Sequence, residues 1–487
     1  MKTIRTIVVC LLCAAVLSVG MASAENAPSQ TIVGQGLPTD DEIRQILVDR
    51  IDVQHKSVGM VVGIVTPLGR RLIMYGHLNQ GDTRQLDGDT VFEIGSVTKV
   101  FTALLLSDMV QRGEVHLNDP VAMYLPAVSP RPDANGKTIT LVDLATQTSG
   151  LPFFPSDVPL TDLPKAIDVV ARYTPDRVFQ FVSTWQPTRP IGSKWEYSNL
   201  GFGVLGLALA SRARTDYKSL VRARITGPLG MENTAIIASP GMSARLATGH
   251  GANLQPAPPV NMPAFLGAGC LRSSANDMLT FLEAFIGHKK SPLAPAMAAM
   301  LETRHPGPSF QQALGWWIIS MGEGDPGFVF HGGETPGFSS TLAYDPKTRV
   351  GVVVLSNGAG NDGGLGTHLM RSALPVETSA VQKSRSERRE IALDPKLADL
   401  YSGKYKINAG PISGMVITIE RQGANLALKD DATPPEGLRL HAENEQTFFT
   451  TAPDLEVIFQ KDDHGQVVSL TVKFAGTDTV AAKMSEQ

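Results

Sequence analysis

Cysteines and metal-binding patterns are scarce in this 487-residue chain. Of its three cysteines, Cys10 and Cys13 lie within the first 24 residues, so Cys270 is the one that remains beyond them. A single thiol excludes an intrachain disulfide, and we interpret Cys270, which follows a run of glycine and alanine, as a small buried residue. The chain contains neither an H-E-x-x-H motif nor paired C-x-x-C motifs, so a metal site has no support. We expect no metal and no other cofactor.

Long runs of basic residues are also missing. The chain has 43 Lys and Arg against 47 Asp and Glu, and its formal net charge at pH 7 is −4. This balance argues against nucleic acid as a partner, because domains that bind nucleic acid concentrate positive charge on one face. With 43% hydrophobic residues and 46 glycines, the chain is long enough for two globular domains.

The N-terminus has the pattern of a secretory signal peptide. Lys2 and Arg5 precede an apolar stretch from Thr6 to Val19, and the small residues of positions 22–24 follow it. We predict cleavage after residue 24 and export to the periplasm or to the medium. The apolar stretch is short for a transmembrane helix, so we expect no stable membrane span after cleavage.

Ser96 and Lys99 stand three residues apart at the start of a strongly apolar run that ends at Leu106. Gly95 before them indicates a tight turn into a buried helix. Positions i and i+3 share one face of a helix, so the amine of Lys99 can reach the hydroxyl of Ser96 and take its proton. This is one way in which a weak alcohol becomes a nucleophile.

Two further motifs add polar groups that suit a catalytic cleft. Tyr197 and Asn199 form a Y-x-N motif between a loop and the helix-like run that starts at Leu200. His331 and Gly333 form an H-x-G motif after a strand-like segment, and the glycines predict a bare strand edge that a substrate backbone can approach. The same pattern at 305–307 lies in a proline-rich loop, and we discard it.

The order S-x-x-K, Y-x-N, H-x-G resembles the serine penicillin-recognising enzymes, in particular the group of class C β-lactamases, DD-peptidases and esterases. The resemblance extends from about Leu37 to Leu374. Six intervening segments share it: LVDLATQTSGLP at 141–152, YSNLGFGVLG at 197–206, PLGM at 228–231, SSANDMLTFL at 273–282, ALGW at 313–316 and HGGETPGFSS at 331–340.

The resemblance implies a role for each of four candidate catalytic residues. Ser96 would attack a carbonyl and form a covalent acyl-enzyme, with Lys99 as the acceptor of its proton. Tyr197 would pass protons between Lys99, the leaving group and the deacylating water. Asn199 would hydrogen bond to Lys99 and to the substrate amide. The alternative is that Tyr197 and Asn199 only cap the helix that follows them.

Four further residues are predicted to contact the substrate. The backbone N–H of Glu334 would complete an oxyanion hole with that of Ser96, and His331 and Gly333 would lie beside it. A lysine at the position of His331 would hold a substrate carboxylate permanently, whereas a histidine does so only as an imidazolium, and the sequence leaves its protonation state open. Phe154 stands where class C β-lactamases typically carry a glutamine, so we expect an aromatic wall there.

The histidine at 331 and the phenylalanine at 154, which depart from the class C pattern, favour one activity without excluding the others. They predict an exported serine hydrolase of the D-amino-acid or DD-peptidase type that acts on a small molecule or peptide, such as a cell-wall peptide or a β-lactam. The catalytic core is equally compatible with a carboxylesterase or a true class C-like β-lactamase. A penicillin-binding sensor or wall-binding module without turnover is the alternative from another functional class.

The hydrophobic pattern places strands near both ends of the first part of the chain and helices between them. We predict a helix at 40–53, a hairpin from 58–65 and 70–75, and further strands at 316–319, 327–330, 338–344 and 349–356. Such an order implies one antiparallel sheet with helices packed on it. The resemblance implies that this α+β part is a three-layer α/β/α sandwich with an inserted helical region.

After residue 375 the composition changes. Residues 376–394 are polar and charged and predict a linker, and seven short alternating strands between 400 and 474 predict a small all-β barrel. The segment LADLYSGKYKI, which opens this part, resembles the lipocalin-like domain of some β-lactamase-related hydrolases. We therefore expect a hydrolase domain at 25–375 and a barrel at 395–487 that stabilises, gates or binds wall components.

Overall fold

The computed structural model describes residues 36–125, 128–322, 324–360, 362–379, 388–407, 416–423, 425–429, 436–450, 455–462, 464–474 and 477–484. The predicted signal peptide and part of the predicted linker lie outside these ranges. The described chain forms two compact units, one with the residues up to 319 and 328–372, the other with 320–327 and the chain from 373 onward. No helix in the described part is long and apolar enough to cross a membrane.

An antiparallel sheet of eight strands organises the first unit in the order β2-β1-β10-β9-β8-β7-β6-β5, and two short strands, β3 and β4, pair separately. The predicted hairpin is β1 and β2, and β1 pairs with β10 from the far end of the unit. The strands are β1 Gly59–Thr66, β2 Gly69–Gly76, β3 Val91–Glu93, β4 Arg272–Ser274, β5 His305–Pro306, β6 Gln311–Gln312, β7 Trp317–Ile319, β8 Phe328–Glu334, β9 Ser339–Asp345 and β10 Val350–Ser356.

Helices cover both faces of this sheet. Leu282 of one helix meets β10 at Gly351, and Gly366 of another meets β9 at Thr341, which faces the opposite side. The α-helices of this unit are Asp40–Val48, Thr98–Gln111, Leu141–Ala145, Leu163–Ala171, Pro175–Thr184, Asn199–Arg212, Tyr217–Val221, Gly227–Leu229, Pro240–Ser243, Leu266–Gly269, Ala275–Phe285, Ala294–Ala299 and Leu365–Met370.

The helix predicted at 40–53 is in two parts. Thr39 caps it with its hydroxyl on the N–H of Glu42, and the α-helix runs over Asp40–Val48 before a π-helical turn at Asp49–Val53. With the helical insertion between the two halves of the sheet, the three-layer architecture predicted for this unit is confirmed.

The second unit contains a closed barrel of eight strands, in which β18 pairs back onto β11. The prediction of an all-β part is confirmed, but it missed β18, and the strand expected from Leu400 starts later because the helix Pro395–Tyr401 precedes it. The strands are β11 Gly403–Ile407, β12 Val416–Gln422, β13 Asn425–Lys429, β14 Leu438–Ala442, β15 Thr447–Phe449, β16 Glu456–Lys461, β17 Val467–Phe474 and β18 Thr477–Lys483.

Aromatic side chains pack the core of this barrel. Tyr401 stacks on Phe459 with ring centroids 4.2 Å apart, and Phe448 meets both rings edge-on. The hydroxyl of Tyr405 donates to the carbonyl of Tyr401 at 2.7 Å, which ties the helix to the first strand. This core is built from packed side chains, as in the smallest barrels. The lipocalin-like relationship stays a prediction.

Candidate active site

Ser96 lies in a 3₁₀ turn, Gly95–Val97, that leads directly into the helix Thr98–Gln111. The Nζ of Lys99 donates to the Oγ of Ser96 at 3.0 Å. Ser96 is half-buried, while Lys99 is completely buried in a helix that is apolar on all sides. The structure thus brings the buried amine of Lys99 into contact with the half-buried hydroxyl of Ser96, as the i, i+3 spacing predicts.

Two further acceptors fix the amine of Lys99. Its Nζ donates to the Oδ1 of Asn199 and to the carbonyl oxygen of Ala268, each at 2.7 Å. A neutral amine has two N–H donors and one lone pair. When Asn199 and Ala268 occupy the two donors, the lone pair of Lys99 points at Ser96, which is the geometry that a base for this hydroxyl requires.

The loop that carries Tyr197 and Asn199 is held by a hydrogen bond from its backbone to the side chain of Gln147, a residue that the sequence analysis missed. Gln147 has a left-handed backbone with φ +59°, and its Oε1 accepts from the N–H of Ser198 at 2.8 Å. Ser198 in turn caps the following helix, because its Oγ accepts from the N–H of Gly201 at 2.8 Å. Ser198, and not Tyr197 or Asn199, therefore supplies the side-chain cap, which leaves both flanking side chains available to the site.

Tyr197 lies over the buried amine among aromatic rings. The Nζ of Lys99 is 4.6 Å from the centroid of the Tyr197 ring. The rings of Phe153, Trp195 and Trp317 lie with their centroids 6.0, 6.3 and 6.5 Å from that of Tyr197. The structure thus brings Tyr197 to the Ser96 and Lys99 pair, and the surrounding rings restrict how the phenol can move.

Two glycines bring β8 against the turn that carries Ser96. Gly95 has φ +48°, and a Cβ on it would lie 2.6 Å from the backbone nitrogen of Glu334. A Cβ on Gly333 would lie 2.0 Å from the carbonyl oxygen of Ile94. The backbone N–H groups of Ser96 and Glu334 are therefore near each other, as an oxyanion hole requires. Gly333 serves this close packing, which differs from the substrate approach expected from sequence.

The edge of β8 beyond Phe330 is available on one side. β7 pairs with β8 over Phe328 to Phe330, whereas β9 pairs with it as far as Glu334. Among the described strands, the backbone of β8 that follows Phe330 thus has no strand partner on the side of β7. A peptide can add to such an edge by main-chain hydrogen bonds.

His331 is a buried neutral side chain. Its ring is 2% exposed, and its Nδ1 lies 2.7 Å from the carbonyl of Gly332, so this nitrogen carries the hydrogen that it donates. Burial, together with the nearby Lys99 cation, lowers the pKa of His331 to about 3. Trp317 stacks on the ring at a centroid distance of 5.3 Å. The imidazolium that could anchor a substrate carboxylate is therefore absent near neutral pH.

Phe154 packs on neighbouring aromatic rings, and its predicted contact with the substrate stays a prediction. Its ring meets Phe265 edge-on at 5.2 Å and Phe153 edge-on at 5.1 Å, and it packs against the main hydrophobic core. Phe153 is the neighbour that contacts Tyr197. An aromatic wall is present at this position, but Phe153 provides the ring beside Tyr197.

A buried ion pair lies behind the turn of Ser96, and sequence reasoning missed it as well. Glu93 is 1% exposed, accepts from the Nη2 of Arg272 at 3.0 Å and accepts from the N–H of Val260. Burial raises the pKa of Glu93, against the opposing effect of Arg272. Because β3 and β4 carry these two residues, the pair joins the start of the Ser96 turn to a distant segment.

His305 and Cys270, to which the sequence analysis assigned no catalytic role, lie in local environments that explain their side chains. The prediction that His305 lies in a loop was wrong, because His305 begins the short strand β5, and its Nε2 donates to the carbonyl of Gly192 at 2.7 Å. Cys270 is buried, and burial raises the pKa of its thiol to about 12. A thiol with such a pKa is not a nucleophile at neutral pH.

Acidification is expected to destabilise the fold through His331. The unfolded chain binds a proton on this residue near pH ~6.5, whereas the folded state binds it near pH 3. Stability is fully present above the unfolded value and falls as the pH drops, by on the order of 3 kcal/mol at pH 4. Urea unfolding of wild type and His331→Gln from pH 7 to 4 measures this loss. The same dependence of the free energy of unfolding on pH in the two proteins would contradict this prediction.

Comparison with known proteins gives three concordant matches. The profile of the family described as Beta-lactamase matches residues 41–374. The D-alanyl-D-alanine-carboxypeptidase/endopeptidase AmpH of Escherichia coli (strain K12) is 30% identical over 347 residues, which cover 68% of this chain and 88% of AmpH. A Beta-lactamase of Lysobacter lactamgenus is 25% identical over 337 residues, with 62% and 83% coverage.

Solved structures show the same fold. The class C beta lactamase from Rhodobacter sphaeroides superposes with a TM-score of 0.59 at 26% identity, and the match covers 67% of this chain and 97% of that chain. The 67% of this chain that the match covers agrees with the extent of the first unit. The barrel accounts for much of the part of the chain that is not matched.

Proposed function

Because this chain belongs to the β-lactamase family, we propose that it is an exported serine hydrolase that cleaves peptides of D-amino acids through an acyl-enzyme on Ser96. The observation that carries the proposal is the position of the Lys99 amine, 3.0 Å from the Ser96 hydroxyl and held by two further acceptors. The similarity to AmpH, a D-alanyl-D-alanine-carboxypeptidase/endopeptidase, supports the choice of substrate.

Acylation follows from this geometry. Lys99, in its neutral form, accepts the proton of Ser96 while the Oγ attacks the carbonyl carbon of the substrate. The negative charge that develops on the carbonyl oxygen is stabilised by the N–H groups of Ser96 and Glu334. Tyr197 then gives its phenol proton to the leaving amine and takes the proton that Lys99 received from Ser96, so that the C–N bond breaks and the acyl-enzyme remains with Lys99 neutral again.

Deacylation reverses the same proton path. A water molecule takes the place of the leaving amine, and Tyr197 with Lys99 accepts its proton as it attacks the ester. Asn199 holds Lys99 throughout by its Oδ1. Lys99 then returns this proton to the Oγ of Ser96 as the ester bond breaks, so the second product is a carboxylic acid and the Ser96 hydroxyl is restored.

A carboxylesterase is the second candidate, and the neutral His331 favours it. Class C-type hydrolysis of β-lactams and DD-peptides involves substrates with a carboxylate, which the buried neutral ring of His331 does not bind as an ion. Esters of simple alcohols carry no such group. The same acyl-enzyme chemistry acts on both bond types.

Intact-protein mass measurement tests the proposal. The mature protein is incubated with a penicillin, a D-Ala-D-Ala peptide, a D-amino-acid amide and a short-chain ester. We expect a lasting penicillin adduct on Ser96, since the strained amide needs only the nucleophile and the oxyanion hole, together with turnover of the D-Ala-D-Ala peptide or the D-amino-acid amide.

Three other outcomes decide against the proposal. Rapid hydrolysis of penicillin without peptide turnover assigns a β-lactamase, and turnover of the ester alone assigns a carboxylesterase. Adducts with no turnover of any compound assign a penicillin-binding sensor. Ser96→Ala is the control, and it should form no adduct.

A further inference from the structure

Aromatic side chains surround Tyr197 on one side of the candidate active site. This inference rests on the proposed function, in which Tyr197 gives the proton to the leaving group, so the side chains around Tyr197 are those that the leaving group meets. We propose that they form an uncharged aromatic subsite that takes amides, esters and internal peptide bonds in preference to a leaving group with a free carboxylate. The leaving-group subsite consists of Trp195, Tyr197, Phe310, Trp317 and His331.

Trp317 is the centre of this subsite. Its ring stacks on Phe310 with centroids 4.6 Å apart and an interplanar angle of 19°. It stacks on His331 at 5.3 Å, and it meets Tyr197 and Trp195 edge-on at 6.5 and 6.4 Å. Phe310 and Trp317 are buried, whereas Trp195 and Tyr197 are half-buried and offer their outer faces to a ligand. Such a wall is apolar and closely packed.

Hydrogen bonds fix Trp195 in place. Its Nε1 donates to the Oε1 of Gln312 at 2.8 Å. Gln312 is 1% exposed, and its Nε2 donates to the carbonyls of Ala313 and Trp316 at 2.7 and 3.1 Å. The indole is therefore held rigidly from behind. A preorganised apolar surface loses little entropy when a substrate binds.

Two basic side chains near Tyr197, those of Lys99 and Arg189, already have hydrogen-bond acceptors. Lys99 donates to three oxygen atoms and is fully buried. The guanidinium of Arg189 is paired with Glu196 at 2.5 Å and also donates to the carbonyl of Lys194. His331 uses its Nδ1 hydrogen on the carbonyl of Gly332. A carboxylate on the leaving group would lose water here and meet rings and committed donors, which is unfavourable.

The preference for an uncharged leaving group bears on which of the two activities of AmpH this chain resembles. That relative is described as both a carboxypeptidase and an endopeptidase. A carboxypeptidase releases a residue with a free carboxylate, whereas an endopeptidase releases an amine whose next group is a neutral amide. The subsite of this chain fits the second kind of leaving group.

A matched pair of substrates tests the inference in the wild-type protein. The pair is an N-acyl-D-alanyl-D-alanine and its C-terminal amide, which have the same acyl group and scissile bond. We expect kcat/KM for the amide to exceed that for the acid by about tenfold or more, as one unpaired buried charge implies. An equal or higher value for the acid would overturn the inference and leave the proposed function intact. If neither is turned over in a Ser96-dependent way, the proposed function fails, and the inference with it.

Variants at the half-buried indole provide a second test. Trp195→Lys places an ammonium in the subsite and should raise the ratio of acid to amide turnover by about tenfold. Trp195→Phe keeps an uncharged ring and should leave the preference for the amide. The same ratio in Trp195→Lys and Trp195→Phe would contradict the proposed recognition.

Discussion

Lys99→Arg is expected to reduce acylation by Ser96 to between about a hundredth and a ten-thousandth of the wild-type rate, the range that general-base catalysis contributes. The guanidinium does not lose its proton at any accessible pH, so it has no lone pair with which to accept the proton of Ser96. Ser96→Ala should abolish the adduct entirely. Release of nitrophenol from nitrophenyl acetate and intact mass measure both effects.

A matched variant separates the loss of the base from a general effect of the Lys to Arg exchange. Lys347 lies exposed in the turn between β9 and β10, and Lys347→Arg should acylate at the wild-type rate. Near-normal acylation in Lys99→Arg would show that another group takes the proton. Circular dichroism and the unfolding midpoint confirm that the inactive variants are folded.

Gly333→Ala should inactivate the enzyme about as severely as the loss of an oxyanion-hole donor, by about a hundredfold or more. The new methyl group would lie 2.0 Å from the carbonyl oxygen of Ile94 and 2.5 Å from the Oγ of Ser340. Since real Cβ contacts do not come this close, β8 and the Ser96 turn have to separate. The N–H of Glu334 then moves away from the substrate oxygen, and a displacement of about 1 Å is costly at such a site.

The neighbouring glycine is the control for this prediction. A Cβ on Gly332 would have its nearest contact at 3.5 Å, on the ring of Phe330, so Gly332→Ala should fold and acylate almost normally. Acylation rates and thermal midpoints of the two variants should therefore diverge. Similar activity in both would show that β8 and the Ser96 turn can part without consequence.

Local pattern in the sequence was sufficient for part of the site and most of the fold. The spacing of Ser96 and Lys99 predicts their contact because both lie on one helical turn. Hydrophobic alternation predicts six of the eight strands of the sheet and seven of the barrel strands, but it missed β5 and β6, which have only two residues each. The pairing of β1 with β10 followed from strands at both ends with helices between them. The roles of the candidate catalytic residues stay predictions, although the structure brings Ser96, Lys99, Tyr197 and Asn199 together.

Features that depend on distant partners were not predictable. Gln147 appeared only inside a segment of family resemblance, and nothing local indicates its left-handed backbone or its bond to Ser198. The buried state of His331 depends on Trp317 and Lys99, which come from other elements. The close approach of Gly333 to Ile94 likewise arises from the packing of two separate segments. A sequence shows which groups are present, while their desolvation and neighbours appear only in the folded chain.

The pairing of the first and last strands of the sheet also sets the order in which the protein acquires activity. The Oγ of Ser57 lies 3.2 Å from the Oδ1 of Asn357, 300 positions later in the chain. Contacts between such distant segments require a long loop to close, which costs conformational entropy before the contacts stabilise the fold. They therefore form late in folding. Ser96 is synthesised early, but the strand that supplies Glu334 leaves the ribosome more than two hundred residues afterwards. Ser96 therefore lacks the N–H of Glu334 throughout synthesis of the intervening chain, and we expect activity only after the sheet has closed.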